Sequence, residues 1–130
     1  GVGVLLRWPG HSNDGGQPWQ GVYPLGAIGM FRWTTSGEQW QLFGNNGRIL
    51  DASDDPFQLG VTYMFKMRVQ NTAGGAEYRL KYWRSGQAEP GGWQLTGTQT
   101  AGEDPGRGCI LLLAHHVDAH FGNVTVTSVP

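Results

Sequence analysis

The sequence predicts an all-β, antiparallel sandwich. Three observations carry that expectation. Turn clusters at Asn13–Gly16, Gly44–Gly47, Asn71–Gly75 and Glu103–Gly106 cut the chain into short pieces, as the regular turn spacing of a sandwich or barrel requires. Val61, Tyr63, Phe65, Met67 and Val69 alternate with Thr62, Met64, Lys66 and Arg68, the period of a half-buried strand. Finally, no segment sustains helical periodicity between caps. The 22 Gly and 7 Pro punctuate aromatic and β-branched runs and form no repeats.

Strands are expected at about 2–8, 26–34, 38–43, 47–52, 61–70, 77–84, 92–97, 108–116 and 119–128. Asn46-Gly47 between Phe43 and Arg48 is a short hairpin signal, because both residues tolerate positive φ. Along 77–84, Leu80 and Tyr82 point to one face and Arg79, Lys81 and Trp83 to the other. Ser85-Gly86 and then Pro90-Gly91-Gly92 break the chain before Trp93. In the last segment Phe121 and Val124 are three apart, so a bulge at Gly122-Asn123 is expected to return both to the core. The expected core is Val61, Tyr63, Phe65, Leu80, Tyr82, Ile110, Leu112, Phe121 and Val124. Cys109 precedes an apolar run and reads as a buried, inert thiol.

At 130 residues the chain is long enough for one domain with a sizeable core. A net charge of −1 supplies no overall pull toward nucleic acid. No apolar run approaches the roughly 18 residues of a membrane span. Strand-like sequence begins at the first residue, which suits a processed form or a portion of something longer. Residues 9–25 form a long irregular loop, of the sort uncommon unless functional or disordered; Trp19 and Tyr23 argue against disorder.

The order Lys81, Trp83, Gly86, Glu89-Pro90 and Trp93, followed by Gly108 and the ending Asp118-Ala119-His120-Phe121-Gly122-Asn123-Val124-Thr125-Val126, resembles the C-terminal half of bacterial concanavalin A-like (laminin-G-like) jelly-roll domains. The resemblance covers about residues 59–126. It implies a jelly-roll sandwich lacking or sharing its N-terminal strands, secreted or held at the cell surface, and associated with sugars. It also implies that Trp83 and Trp93 pack together across their turn. Many such domains hold a structural calcium through an aspartate in the ending, where this chain has Gly122. Asp51, Asp54 and Asp55 are an alternative oxygen-rich loop without an EF-hand pattern, so no cofactor is expected, and a structural calcium stays an unsupported alternative.

Two groups of residues suit glycan contact. A sugar ring stacks its apolar face on an aromatic ring and needs polar partners for its hydroxyls. The 9–25 loop offers Asn13, Asp14, Trp19 and Tyr23. A polar sheet face offers Arg79 and Lys81, with Lys66 and Arg68 merging into it if their strands pair, and His116 and His120 are expected on the same surface. On a straight strand His116, Asp118 and His120 would share a side, about 6.5–7 Å apart, without the tight spacing of zinc motifs. No paired carboxylates flank a site as in glycosidases, and no nucleophile elbow or phosphate loop is present.

The leading reading is therefore a secreted, non-catalytic, lectin-like carbohydrate-binding module whose partner is a glycan or polysaccharide. A second is a structural subunit of an extracellular filament that pairs with copies of itself by strand exchange. The third is the C-terminal part of a polysaccharide-degrading enzyme.

Overall fold

A computed structural model describes residues 1–9 and 26–129. Among the described residues eight strands follow one another: β1 (Val2–Trp8), β2 (Ala27–Thr34), β3 (Gly37–Phe43), β4 (Ile49–Ser53), β5 (Tyr63–Thr72), β6 (Gly75–Arg84), β7 (Leu95–Thr100) and β8 (Cys109–Ala114). They form two sheets, one ordered β4-β3-β2-β1-β8 and the other β5-β6-β7, with every pair antiparallel. The expected all-β architecture is present. The expected hairpin between β3 and β4 is also present, closed by a 3-10 turn at Asn45–Gly47 in which Gly47 takes φ 70°.

The layers meet over an aromatic cluster. Trp40 from β3 lies flat on Tyr82 from β6, with ring centroids 3.7 Å apart and planes within 3°. Phe31, Phe57, Tyr63 and Phe65 pack around the same indole. Leu42, Tyr78, Leu80 and Leu95 complete the buried centre. Two glycines let the sheets approach. A Cβ on Gly29 would sit 2.9 Å from Leu80 Cδ1, and one on Gly97 would sit 2.4 Å from Leu50 Cβ. Leu80 and Leu50 thus occupy space that any other residue at 29 or 97 would fill.

Leu80 and Tyr82 are buried as expected, and Tyr63 and Phe65 pack against the core half-buried. The far end of the chain departs from expectation. Ile110, Leu112, Phe121 and Val124 are exposed, and so is Cys109. The reason lies in the layering. β5 packs over β1 and β7 over β4, while β8 pairs only with β1 at the rim of its sheet. An apolar strand is buried only where a second layer faces it, and β8 lies outside the span of β5-β6-β7. Residues 119–128 are not a strand, so the bulge expected at Gly122-Asn123 has no ladder to interrupt.

Trp40 also carries an unpartnered group: its Nε1–H is buried without an acceptor among the described residues. Trp40→Ala should cost about 3–5 kcal/mol in urea unfolding, as large aromatic deletions do. Trp40→Phe should cost less than about 1.5 kcal/mol, because it removes the orphan donor together with part of the ring. Equal losses for the two variants would contradict the placement of Trp40 at the centre of the core.

Candidate functional site

The end of the sandwich near Trp8 is held by one polar network. The register of β1 against β8 shifts between Leu5 and Trp8, and Arg7 there adopts φ 62°. That left-handed conformation is costly for a side chain with a Cβ, and here it accompanies a double contact. Both Asp104 carboxylate oxygens accept from Arg7 Nη1 at 2.7 Å, and Asn71 Oδ1 accepts from Nη2. Tyr78 Oη donates to Asp104 at 3.0 Å, and the Gly106 amide donates to the same carboxylate. Burial, reinforced by the Asp104 charge, pushes the Tyr78 phenol up. With the Asp104 side chain only 3 % exposed, this is a fastener joining β1, the β5–β6 hairpin and the β7–β8 loop.

The outer face of β5-β6-β7 carries the predicted cations. Tyr78, Leu80 and Tyr82 point inward, so Glu77, Arg79, Lys81 and Trp83 point outward. Across the ladder, Lys66 stands opposite Lys81, Arg68 opposite Arg79, and Gln70 opposite Glu77. Two carboxylates moderate the four cations. Glu89 takes Lys66 at 2.8 Å and Lys81 at 3.0 Å, while Glu77 takes Arg79. Arg68 has only Gln70, and its Nε is buried without a partner among the described residues.

Lys81 is nearly buried. Its ammonium also donates to the Pro90 carbonyl at 2.8 Å and lies 4.9 Å from the centre of the Trp93 ring. Lys81 therefore fastens the 85–94 loop, and Trp93 is held beneath it. Among the described residues no ring contact joins Trp83 to Trp93, unlike the pairing that the resemblance implies. The hydrogen bonds from Lys66 and then Lys81 hold the Glu89 carboxyl below the usual carboxylate range. Such a bridge is fully present above the ordinary glutamate pKa and is lost as pH falls through the lowered one.

The structure does not bring His116 and His120 to this face. His116 follows β8 with φ 55°, and its ring stacks on His115 with centroids 4.2 Å apart. Residues 116–120 are not a strand, so the period-two alignment expected of His116, Asp118 and His120 does not apply. Burial, then His116, the N-terminal ammonium and Arg32 hold the His115 imidazole below its ordinary value. Asn13, Asp14, Trp19 and Tyr23 lie outside the described residues.

The aspartates proposed as an oxygen-rich loop do not converge. Asp51 accepts from the Ala52 and Thr96 amides, Asp54 from Gln39, and Asp55 from the Tyr82 hydroxyl. Among the described residues no three His, Cys, Asp or Glu side chains cluster as metal ligands would.

Sequence reasoning missed a groove on the outer face of the other sheet, between β2, β3 and the end of β4. Arg32, Thr34, Ser36, Gly37, Glu38, Gln39, Gln41, Ile49 and Asp54 line it. Because Trp40 and Leu42 face the core, Gln39 and Gln41 must face this groove. The signal was the Gln-Trp-Gln-Leu alternation itself.

Asp104→Ala should lower stability by about 3–5 kcal/mol in urea unfolding, the usual consequence of leaving a buried cation unpaired. A loss under about 1 kcal/mol would mean that Arg7 is solvated and the fastener is not a fastener.

No family model, curated protein or solved structure matches this chain in the comparisons.

Proposed function

We propose that this chain is a secreted or cell-surface, non-catalytic carbohydrate-binding module of the concanavalin A-like jelly-roll kind, and that it takes anionic polysaccharide on the outer face of β5-β6-β7. One observation carries the reading. Two like-charged pairs, Lys66 with Lys81 and Arg68 with Arg79, stand directly opposite each other with only two carboxylates among them. Like charges across a ladder are destabilising, by several tenths of a kcal/mol up to about 1 kcal/mol each. An outside anion would offset the part of that cost which Glu77 and Glu89 leave. Arg68 and Arg79 keep N–H groups beyond those bonded to Gln70 and Glu77 for a carboxylate or sulfate, and Thr96 stands opposite Arg79 and Thr98 opposite Glu77 on β7, with hydroxyls for neutral parts of the polymer.

The spacing favours a polysaccharide over nucleic acid. Glu77 and Glu89 sit among the cations, so a polymer charged at every step meets repulsion. One whose charges are separated by hydroxyls does not. Single-site affinity is expected between high micromolar and millimolar, useful only when sites repeat.

The filament reading is favoured by a different observation. Among the described residues β8 is the last strand of its sheet, its residues 109–114 contain no charge, glycine or proline, and such edges invite pairing unless protected. Exposed Phe121, Val124 and Val126 follow it. Concentration-dependent sedimentation to polymer would favour this second reading; a monomer throughout would remove it.

On a column of immobilised hyaluronate, which carries a carboxylate on every second sugar, the protein should be retarded at low salt and should elute as salt screens the contact. The double variant Arg68→Ala/Arg79→Ala should pass unretarded with little change in melting temperature. Passage of the unaltered protein with the void volume would contradict the proposed surface.

A further inference from the structure

We propose that the groove lined by Arg32, Gln39, Gln41, Ile49 and Asp54 is a second, separate binding site, built for a single ring of a neutral sugar. It lies on the opposite face of the sandwich from the cationic surface. The argument begins with a chain of amides whose direction is forced. An ionised carboxylate only accepts, so Asp54 Oδ1 must face the Gln39 NH2 group, at 2.6 Å. That orientation turns Gln39 Oε1 toward the Gln41 NH2 group, at 3.2 Å. The Gln41 carbonyl oxygen is then left as the last acceptor of the chain. It is buried with no donor among the described residues, in a side chain belonging to a residue only 6 % exposed.

A buried acceptor without a donor is costly, and aligned amides polarise one another so that the terminal oxygen is the strongest acceptor of the series. Gln41 lines the groove, so a small rotation of its amide would present this unmet acceptor to an O–H or N–H donor seated there. Arg32 stands across the ladder from Gln39 and makes no ion pair among the described residues; its guanidinium lies 5.1 Å from the centre of the Phe43 ring. It supplies free N–H donors on one side. Ile49, 47 % exposed, supplies an apolar patch on another.

The charges then decide the class of ligand. Glu38 and Asp54 repel an anion, and Arg32 offsets part of their attraction for a cation. Acceptors at Asp54 and Gln41, donors at Arg32 and an apolar patch at Ile49 fit a neutral ring whose hydroxyls both donate and accept and whose C–H groups are apolar. With a second surface on the far side, one copy would hold two polysaccharide chains at once, and overall binding would rise through valency.

The test is a two-dimensional NMR titration with methyl glycosides of glucose, galactose and mannose, taken to about 50 mM because single-ring affinities are expected to be millimolar. At least one should shift the Gln39 and Gln41 side-chain amides and the Arg32 resonances. Gln41→Leu should weaken that binding at least about tenfold and leave the melting temperature equal or higher, since it removes an orphan acceptor. A merely structural Gln41 would instead lower it. Arg32→Ala, at a partly exposed position, should weaken binding similarly and decides the matter if Gln41→Leu does not fold. Arg68→Ala/Arg79→Ala should bind the glycoside normally, which separates this site from the polyanion surface. No shift with any of the three sugars would overturn the proposal. So would unchanged binding by Arg32→Ala, or a stronger response to glucuronate or to arginine methyl ester.

Discussion

The stack of Trp40 on Tyr82 is the contact on which the rest of the molecule depends. It is a parallel, close contact between one residue from each sheet, and it fixes both the spacing and the rotation of the layers. Further aromatic contacts among Phe31, Phe57, Tyr63 and Phe65 surround it. Large rings bury much apolar surface per residue, so a small number of positions supplies most of the core. Gly29 and Gly97 matter for the same reason: side chains there would force the sheets apart at Leu80 and Leu50.

Once the inner faces are committed to the cluster, strand alternation assigns the outer faces. Every second residue of β3 and β6 is then free to be polar. On β6 these are Glu77, Arg79 and Lys81; on β3 they are Gln39 and Gln41. The two ends of the sandwich are secured differently. Arg7 and Asp104 close one end through a nearly buried ion pair, and Lys81 with Glu89 and Pro90 pins the loop at the other. Pinning matters for recognition, since groups held on strands keep their geometry better than groups on loops.

Seven of the strands were legible because each carries a local signal, either period-two alternation as in β5 or turn residues as around Gly47 and Gly75. The facing of Leu80 and Tyr82 followed from that alternation alone. β8 was legible as a strand but not as an exposed one. Ile110 and Leu112 look like core residues in sequence, yet burial depends on whether another layer lies opposite, which no local pattern encodes. The same holds for Phe121 and Val124. The Trp83–Trp93 pairing failed because a neighbouring cation, Lys81, took the Trp93 face instead. The groove escaped notice because glutamines carry no charge signal, and Asp54 joins Gln39 only after β4 folds back on β3.

The most direct test of this architecture is residue-resolved amide hydrogen exchange on the unaltered protein. Central-strand amides around Phe31, Trp40, Leu80 and Tyr82 should be the slowest, opening only with global unfolding. Residues 110–114 of the rim strand should exchange through smaller openings, and residues 119–128 should exchange fastest. Protection at Leu112 and Val124 equal to that at Leu80 would contradict the account, because it would require a covering layer over β8 and a core not centred on Trp40 and Tyr82.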